Sequence, residues 1–171
     1  VAIQLTQRIN KTYTTNISIG KARINLNGEI GLQGILILDH RKDSLLYINT
    51  VSMDLQELEG VLKGAYQLTS LTIDQPALYL KTYANDTVSN LSQFLTKFKR
   101  NNAQKKSFEA GIEHLRLNGG KLLLENENNK SSTSLHAIKL SANALNYVDD
   151  TLEAAIENIS FQRNKGIHLT R

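Results

Sequence analysis

Acid–base or metal chemistry in this chain would have to rest on His40, His114, His136 and His168, which lie far apart in sequence. None stands in an HExxH, HxH or His-carboxylate spacing that argues for a metal, so no metal site is expected and the four read as exposed strand histidines. Gly119-Gly120 reads as a hairpin turn, not a phosphate cradle, and no GxSxG, Walker or GxGxxG pattern occurs. The acidic pair Asp149-Asp150 is explained by a turn. With no cysteine there is no thiolate nucleophile, thiolate metal site or disulfide framework. These absences lead to an expectation of no enzyme, no catalytic residue and no cofactor.

Charge points to no nucleic acid. Twenty basic against 16 acidic residues give a net charge of +4, too dispersed for a nucleic-acid footprint. The basic run Lys97 to Lys106 reads as a solvated helix exit with one interleaved aromatic, Phe98, although anionic headgroups would attract it. Asn-x-Ser/Thr sequons begin at Asn10, Asn16, Asn85, Asn90, Asn129 and Asn158, and a composition rich in Asn, Ser and Thr accounts for them. An apolar content of 40% over 171 residues is enough for an ordered core. No apolar run approaches the roughly 18 residues of a membrane-spanning helix. The start at Val1 without a signal-peptide pattern reads as a processed or excised segment.

The elements follow from hydrophobic period. Val1, Leu5, Ile9 and Tyr13 form a four-residue stripe, predicting a helix over Val1 to Tyr13. From Asn16 the period becomes two: Ile17 and Ile19 share a face, then Ala22, Ile24 and Leu26, with a slip near Gly20 and Lys21 read as a β-bulge. Asn27-Gly28 predicts a hairpin whose second strand runs from Glu29 to Asp39. Both faces of Ile35-Leu36-Ile37-Leu38 are apolar, so both need cover, one from the opening helix. Further strands are expected at Leu45 to Leu55, Tyr66 to Asp74, Ala77 to Tyr83, Leu135 to Tyr147 and Leu152 to Arg163. A short helical turn at Glu57 to Lys63 stops at Gly64. A second helix from an Asp86 N-cap to Arg100 carries Val88, Leu91, Phe94, Leu95 and Phe98. Phe108 to Asn118 and Lys121 to Asn126 form a hairpin about Asn118-Gly119-Gly120, and Glu125 to Ser134 is an exposed connection. Gly166 to Arg171 alternates to its end, so the sheet is expected to continue past the last residue.

One spacing recurs, three residues then two between apolar positions. It is found at Ile19-Ala22-Ile24, Leu32-Ile35-Ile37, Leu68-Leu71-Ile73, Ile112-Leu115-Leu117, Leu135-Ile138-Leu140 and Ile156-Ile159-Phe161. In a flat strand the first residue of each copy is out of phase with the other two, so each copy predicts a bend or bulge before a one-faced strand. Intervals between copies are irregular, which is not a strict solenoid repeat. Chance matches in a Leu- and Ile-rich β protein are the alternative.

The opening stretch resembles the N-terminal periplasmic part of the TamB/AsmA-like family of repeating β-groove proteins. The matching residues follow an apolar helix: Thr15, Ile17, Ile19, Gly28, Ile30, Leu32, Gly34, Ile35, Ile37 and Asp39, then the corner Asp43-Ser44-Leu45-Leu46. The resemblance implies a mainly β fold with two short helices and a curved, mostly antiparallel, one-faced sheet. Residues 1–171 would be a single N-terminal segment of a longer chain: a membrane-proximal helix (1–13), first strands (16–83), a helix (86–100) and further strands (107–171). It also implies a periplasmic protein anchored in the inner membrane by a helix missing here, carrying phospholipid acyl chains to the outer membrane along an apolar groove. Eukaryotic chorein-type lipid bridges look similar in plan. An outer-membrane β-barrel assembly partner would be met through a C-terminal region, also missing. The candidate lipid-facing residues are Ile24, Leu26, Ile30, Leu32, Ile35 and Ile37. The alternatives are an outer-membrane protein assembly factor (a translocation and assembly module) that chaperones by strand pairing, or a scaffold or adhesion domain with a closed core.

Overall fold

Helix α1, Ala2–Tyr13, is the first element of the computed structural model, which describes residues 2–25, 28–55, 65–99, 109–148 and 151–163. The helix ends where Thr14 takes a φ of 53°, and Asn10 then fastens it to the first strand. The Asn10 carboxamide accepts from the Ile17 N–H (2.8 Å) and the Thr15 hydroxyl (3.0 Å), and donates to the Ile17 carbonyl (2.7 Å). One helix side chain thus satisfies both backbone polar groups of Ile17 on β1.

Eight strands follow: β1 Asn16–Ile24, β2 Glu29–Leu38, β3 Ser44–Leu55, β4 Ala65–Asp74, β5 Ala77–Thr82, β6 Glu109–Asn126, β7 Ser131–Val148 and β8 Thr151–Arg163. A second helix, α2 Asn90–Lys99, lies between β5 and β6. The strands form a single mixed, largely antiparallel sheet that does not close into a barrel, and 70% of the described residues are strand. The order is β1-β2-β3-β4-β6-β7-β8, with β5 pairing β3 and β6. β4 and β5 therefore occupy one place between the same two neighbours, interrupted only at Gln75-Pro76, where a residue without a ladder donor is tolerated. Both run parallel to β6, as a connection through a helix allows. The β1–β2 hairpin closes through Gly28 at φ 90°, whose N–H donates to the Asn25 carbonyl.

Four expectations are corrected. Gly119-Gly120 is not a turn: β6 runs unbroken from Glu109 to Asn126 because β4 and β5 pair along both of its halves. The polar stretch Glu125 to Ser134 is mostly strand, with a turn only over 127–130, since hydrogen bonds across the β6–β7 ladder outweigh weak intrinsic β-propensity. Asp86 does not cap α2. Ser89 does, its Oγ accepting from the Ser92 N–H (3.3 Å), while Asp86 is held by His40, Arg41 and Gln93 and Val88 is exposed outside the helix. Finally, no bulge lies at Gly20 and Lys21: Ile19 pairs Ile35 and Lys21 pairs Gln33, so neither strand gains a residue. The expectations for Glu57 to Gly64, Asp149-Asp150, Gly166 to Arg171 and the basic run beyond Lys99 fall outside the described residues.

A crease explains the phase slip instead. Gly34 lies beside Gly20 and has a φ of 66°, a left-handed conformation that interrupts the two-residue alternation of side chains. The same line crosses the sheet. Asn49, between the paired residues Ile48 and Thr50, donates to the Gln75 side chain (3.1 Å). Gln75 is left-handed at φ 50° and lies against Gly119 at φ 66°, and Ala137 at φ 50° adjoins Ile138, the partner of Gly120. An added side chain on Gly120 would collide with Leu117 and Ile138, which accounts for glycine there.

Among the described residues the fully buried apolar set is small: Leu45, Val51, Ala77, Tyr83, Phe94 and Ala142. Leu45 owes its burial to a register shift, since Ile37 pairs Leu46 whereas Leu38 pairs Ser44. Among the described residues α1 packs chiefly on β1 and α2 on β5, and no other helix lies on the sheet.

Candidate functional site

Cross-strand pairing assembles the apolar residues into rows, because directly opposed residues share a face. One row runs Ala22, Leu32, Val51, Ile73, Leu117, Leu140, Ile159, across seven strands without a polar member. The next apolar row runs Ile24, Ile30, Met53, Leu71, Leu115, Ala142, Ile156. Between them, pointing the other way, lies a row that is polar apart from one glycine: Arg23, Gly31, Ser52, Thr72, Arg116, Ser141 and Asn158. Beyond the crease a third apolar row joins Ile17, Ile37, Leu46, Leu78, Leu122 and Leu135. The left-handed Gly34 brings Leu32 and Ile35, three apart, to one face, so the three-then-two spacing keeps a face apolar across the bend.

The candidate lipid-facing residues fall into these rows. Ile24 and Ile30 pair in one, Leu32 lies in the next, and Ile35 and Ile37 lie on the far side of the crease opposite Ile19 and Ile17. Ile30, Leu32, Ile35 and Ile37 are half-buried, and Ile24 is 71% exposed; Leu26 lies outside the described residues. None of the five described is sealed. At the opposite edge Ile156 and Ile159 are 61% and 57% exposed. The candidate set missed the partners on β3 to β8, although the recurring spacing marked Leu71, Ile73, Leu115, Leu117, Leu140, Ile156 and Ile159.

A polar corner ties α2 to this surface. Asp39 is 1% exposed and accepts four hydrogen bonds: Arg41 N–H (2.8 Å) and Asp43 N–H (3.1 Å) on Oδ1, Tyr83 O–H (2.6 Å) and Asn90 Nδ2–H (3.1 Å) on Oδ2. Burial pushes its carboxyl up, but these donors outweigh burial and hold it below the usual carboxylate range. The Tyr83 oxygen also lies 2.7 Å from Asp43 Oδ2, so two carboxylates share one phenolic proton. Burial, then these two carboxylates, raise the phenol far above its ordinary value. Arg41 and Lys81 stand 4.3 and 4.8 Å from the Tyr83 ring centroid, within cation–π range. Asn90 completes the lock, donating to the Tyr79 carbonyl and accepting from the Lys81 N–H at 3.0 Å each. Sequence reading marked the Asp39-to-Asp43 corner but missed Tyr83 and Asn90, which no local spacing connects to it.

This constellation is structural in form: its acids are consumed by donors, and no group of three or more His, Asp or Glu capable of holding a metal occurs among the described residues. His114 is exposed on β6, 2.9 Å from the Asn143 side chain, and His136 is half-buried on β7. His40 is in a turn, edge-on to Tyr83, and not on a strand; His168 lies outside the described residues. Of the sequon asparagines, Asn10 and Asn90 have their carboxamides committed to backbone partners, which bars modification in the folded state. Lys97, the first cation of the basic run, donates to the Thr14 carbonyl (2.8 Å) and so braces α2 against the α1–β1 turn. No helix among the described residues is long and apolar enough to cross a membrane. No family model matches the chain, and no curated protein matches it.

Proposed function

We propose that the apolar face of this sheet carries phospholipid acyl chains, as a non-enzymatic periplasmic segment of an inner-membrane-anchored protein of the TamB/AsmA-like kind, moving lipid to the outer membrane. The observation that supports this reading is the pair of seven-strand apolar rows, separated by a polar row on the other face and, apart from the buried Val51 and Ala142, half-buried or exposed. Each Leu or Ile fully withdrawn from water contributes about 1.5–3 kcal/mol, so a surface this continuous is costly unless something apolar covers it. Acyl chains suit it because the rows run perpendicular to the strands without a polar interruption, a path and not a pocket. Photo-crosslinkers placed in cells at Ile30, Leu32, Ile35 and Ile37 should give phospholipid adducts, while the same probe at Thr72 and Ser141, on the reverse face and away from Gly31, should not. Equal labelling of both faces would refute the reading.

The assembly-factor alternative draws on β8, which is exposed throughout its described side chains and pairs only with β7 among the described residues. It predicts adducts from β8 to unfolded outer-membrane proteins in the same experiment. A closed-core scaffold fits less well with so small a buried set.

A further inference from the structure

The polar reverse face contains one glycine whose presence neither backbone nor packing demands. Gly31 sits inside β2 between Arg23 of β1 and Ser52 of β3, it lacks the left-handed φ of Gly28 and Gly34, and a side chain built on it would meet nothing within 4 Å. Glycine weakens a strand interior, and where it is not needed for a bulge or a bend it leaves room for something to approach the backbone. Here the missing side chain opens a hollow of about 250 Å³, floored by Gly31 and walled by Lys21, Arg23, Asn25, Gln33 and Ser52. Neither Lys21 nor Arg23 forms an ion pair among the described residues. The Ser52 hydroxyl has no hydrogen-bond partner recorded there either, so it is available as a third donor beside the two cations. One acid stands at the rim, Glu29, and its Oε2 accepts from Asn25 Nδ2 (2.9 Å). Thr50, also on the wall, donates its hydroxyl to Asp74 of β4 (3.2 Å).

We infer that this hollow binds a phosphate ester. An Arg beside a Lys and a hydroxyl supplies forked and point-charge donors for a phosphate oxyanion, and the volume leaves space for a small polar substituent such as glycerol. The site is on the face opposite the apolar rows and stands whether or not those rows carry lipid. Its ligand has two sources, a soluble phosphate ester or the headgroup of an anionic phospholipid.

The test uses the whole chain with two probes: glycerol phosphate followed by amide chemical shifts, and co-sedimentation with phosphatidylglycerol vesicles against phosphatidylcholine vesicles. Saturable shifts at the Gly31 and Ser52 amides identify a soluble ester, whereas selective sedimentation with phosphatidylglycerol identifies a headgroup. In either case Arg23→Gln should weaken binding at least about ten-fold by removing the forked donor. Gly31→Leu should abolish binding while leaving the thermal midpoint unchanged or raised, because it fills the hollow and removes a strand glycine. Should Gly31→Leu misfold, the double substitution Lys21→Gln with Arg23→Gln carries the same expectation on an unaltered backbone. The inference is overturned if neither probe binds, or if binding survives both the filling of the hollow and the loss of its cations.

Discussion

Replacing Tyr83 by Phe removes one oxygen from the polar corner and nothing else, so its effect can be worked from the structure. The hydroxyl donates into a buried, ionised Asp39 at 2.6 Å and lies 2.7 Å from Asp43. A hydrogen bond to a charged group is worth about 1.5–3 kcal/mol. Asp39 keeps its three other donors, so Tyr83→Phe should cost about 2 kcal/mol. Asp39→Ala removes the acceptor for Tyr83, Asn90 and two N–H groups together. Because Tyr83 can still turn to Asp43, and Asn90 keeps the Tyr79 carbonyl, its cost is about 3–5 kcal/mol and not the sum of four bonds. The double variant should cost less than the two singles added, by about 1–2 kcal/mol, since the two residues share an interaction. Urea denaturation at pH 7 followed by circular dichroism measures all three. For a chain of this size 2 kcal/mol lowers the thermal midpoint by about 4–8 °C. A Tyr83→Phe protein within about 0.5 kcal/mol of the parent, the scatter of unremarkable surface changes, would refute the idea that this corner clamps α2 to the sheet.

The same corner sets a pH dependence with two limbs. Asp39 is depressed in the folded state, so its stabilisation is fully present above the unfolded value near about pH 4 and is lost as pH falls through the folded value; Asp39→Ala should flatten that acid limb in denaturation curves. Tyr83 is raised, so the folded state holds a proton that the unfolded chain releases from about pH 10 upward, and stability should fall above that point in the parent but less in Tyr83→Phe. At the crease, Gly34→Val should destabilise by about 2 kcal/mol although its Cβ meets only ordinary contacts, because a β-branched residue is strained at φ 66°. Ala137→Gly, at φ 50°, should be neutral or stabilising in spite of the usual penalty for glycine in a strand; thermal melts that reverse this order would refute the crease.

Much of the fold was legible because period and turn chemistry are local. The first helix, the β1–β2 hairpin at Gly28 and the ends of β2 to β5 follow from apolar alternation bounded by Gly, Asp and Pro. What local reading missed is non-local. Asn118-Gly119-Gly120 carries every mark of a turn, and only the parallel neighbours β4 and β5, more than forty residues upstream, hold it extended. Asp86 has the side chain of an N-cap, but His40 and Arg41 of another turn claim it and leave the cap to Ser89. Of the candidate site, the residues from one hairpin were readable, whereas the pairing that aligns them with residues on six later strands was not, since register is set by pairing and not by spacing alone.

In two of its six copies the recurring spacing has a cause that links these levels. A strand that bends through a left-handed residue exchanges its faces, so a chain with strict two-residue alternation would turn its apolar row outward at the crease. Three-then-two spacing compensates for that exchange. Leu32-Ile35-Ile37 skips Gly34 and Leu135-Ile138-Leu140 skips Ala137, each left-handed at the same position of the unit. The sheet could have avoided the bend by using ordinary strand residues in place of Gly34 and Gln75, so the crease costs backbone strain that the core does not require. What it achieves is one uninterrupted apolar face on a sheet that changes direction.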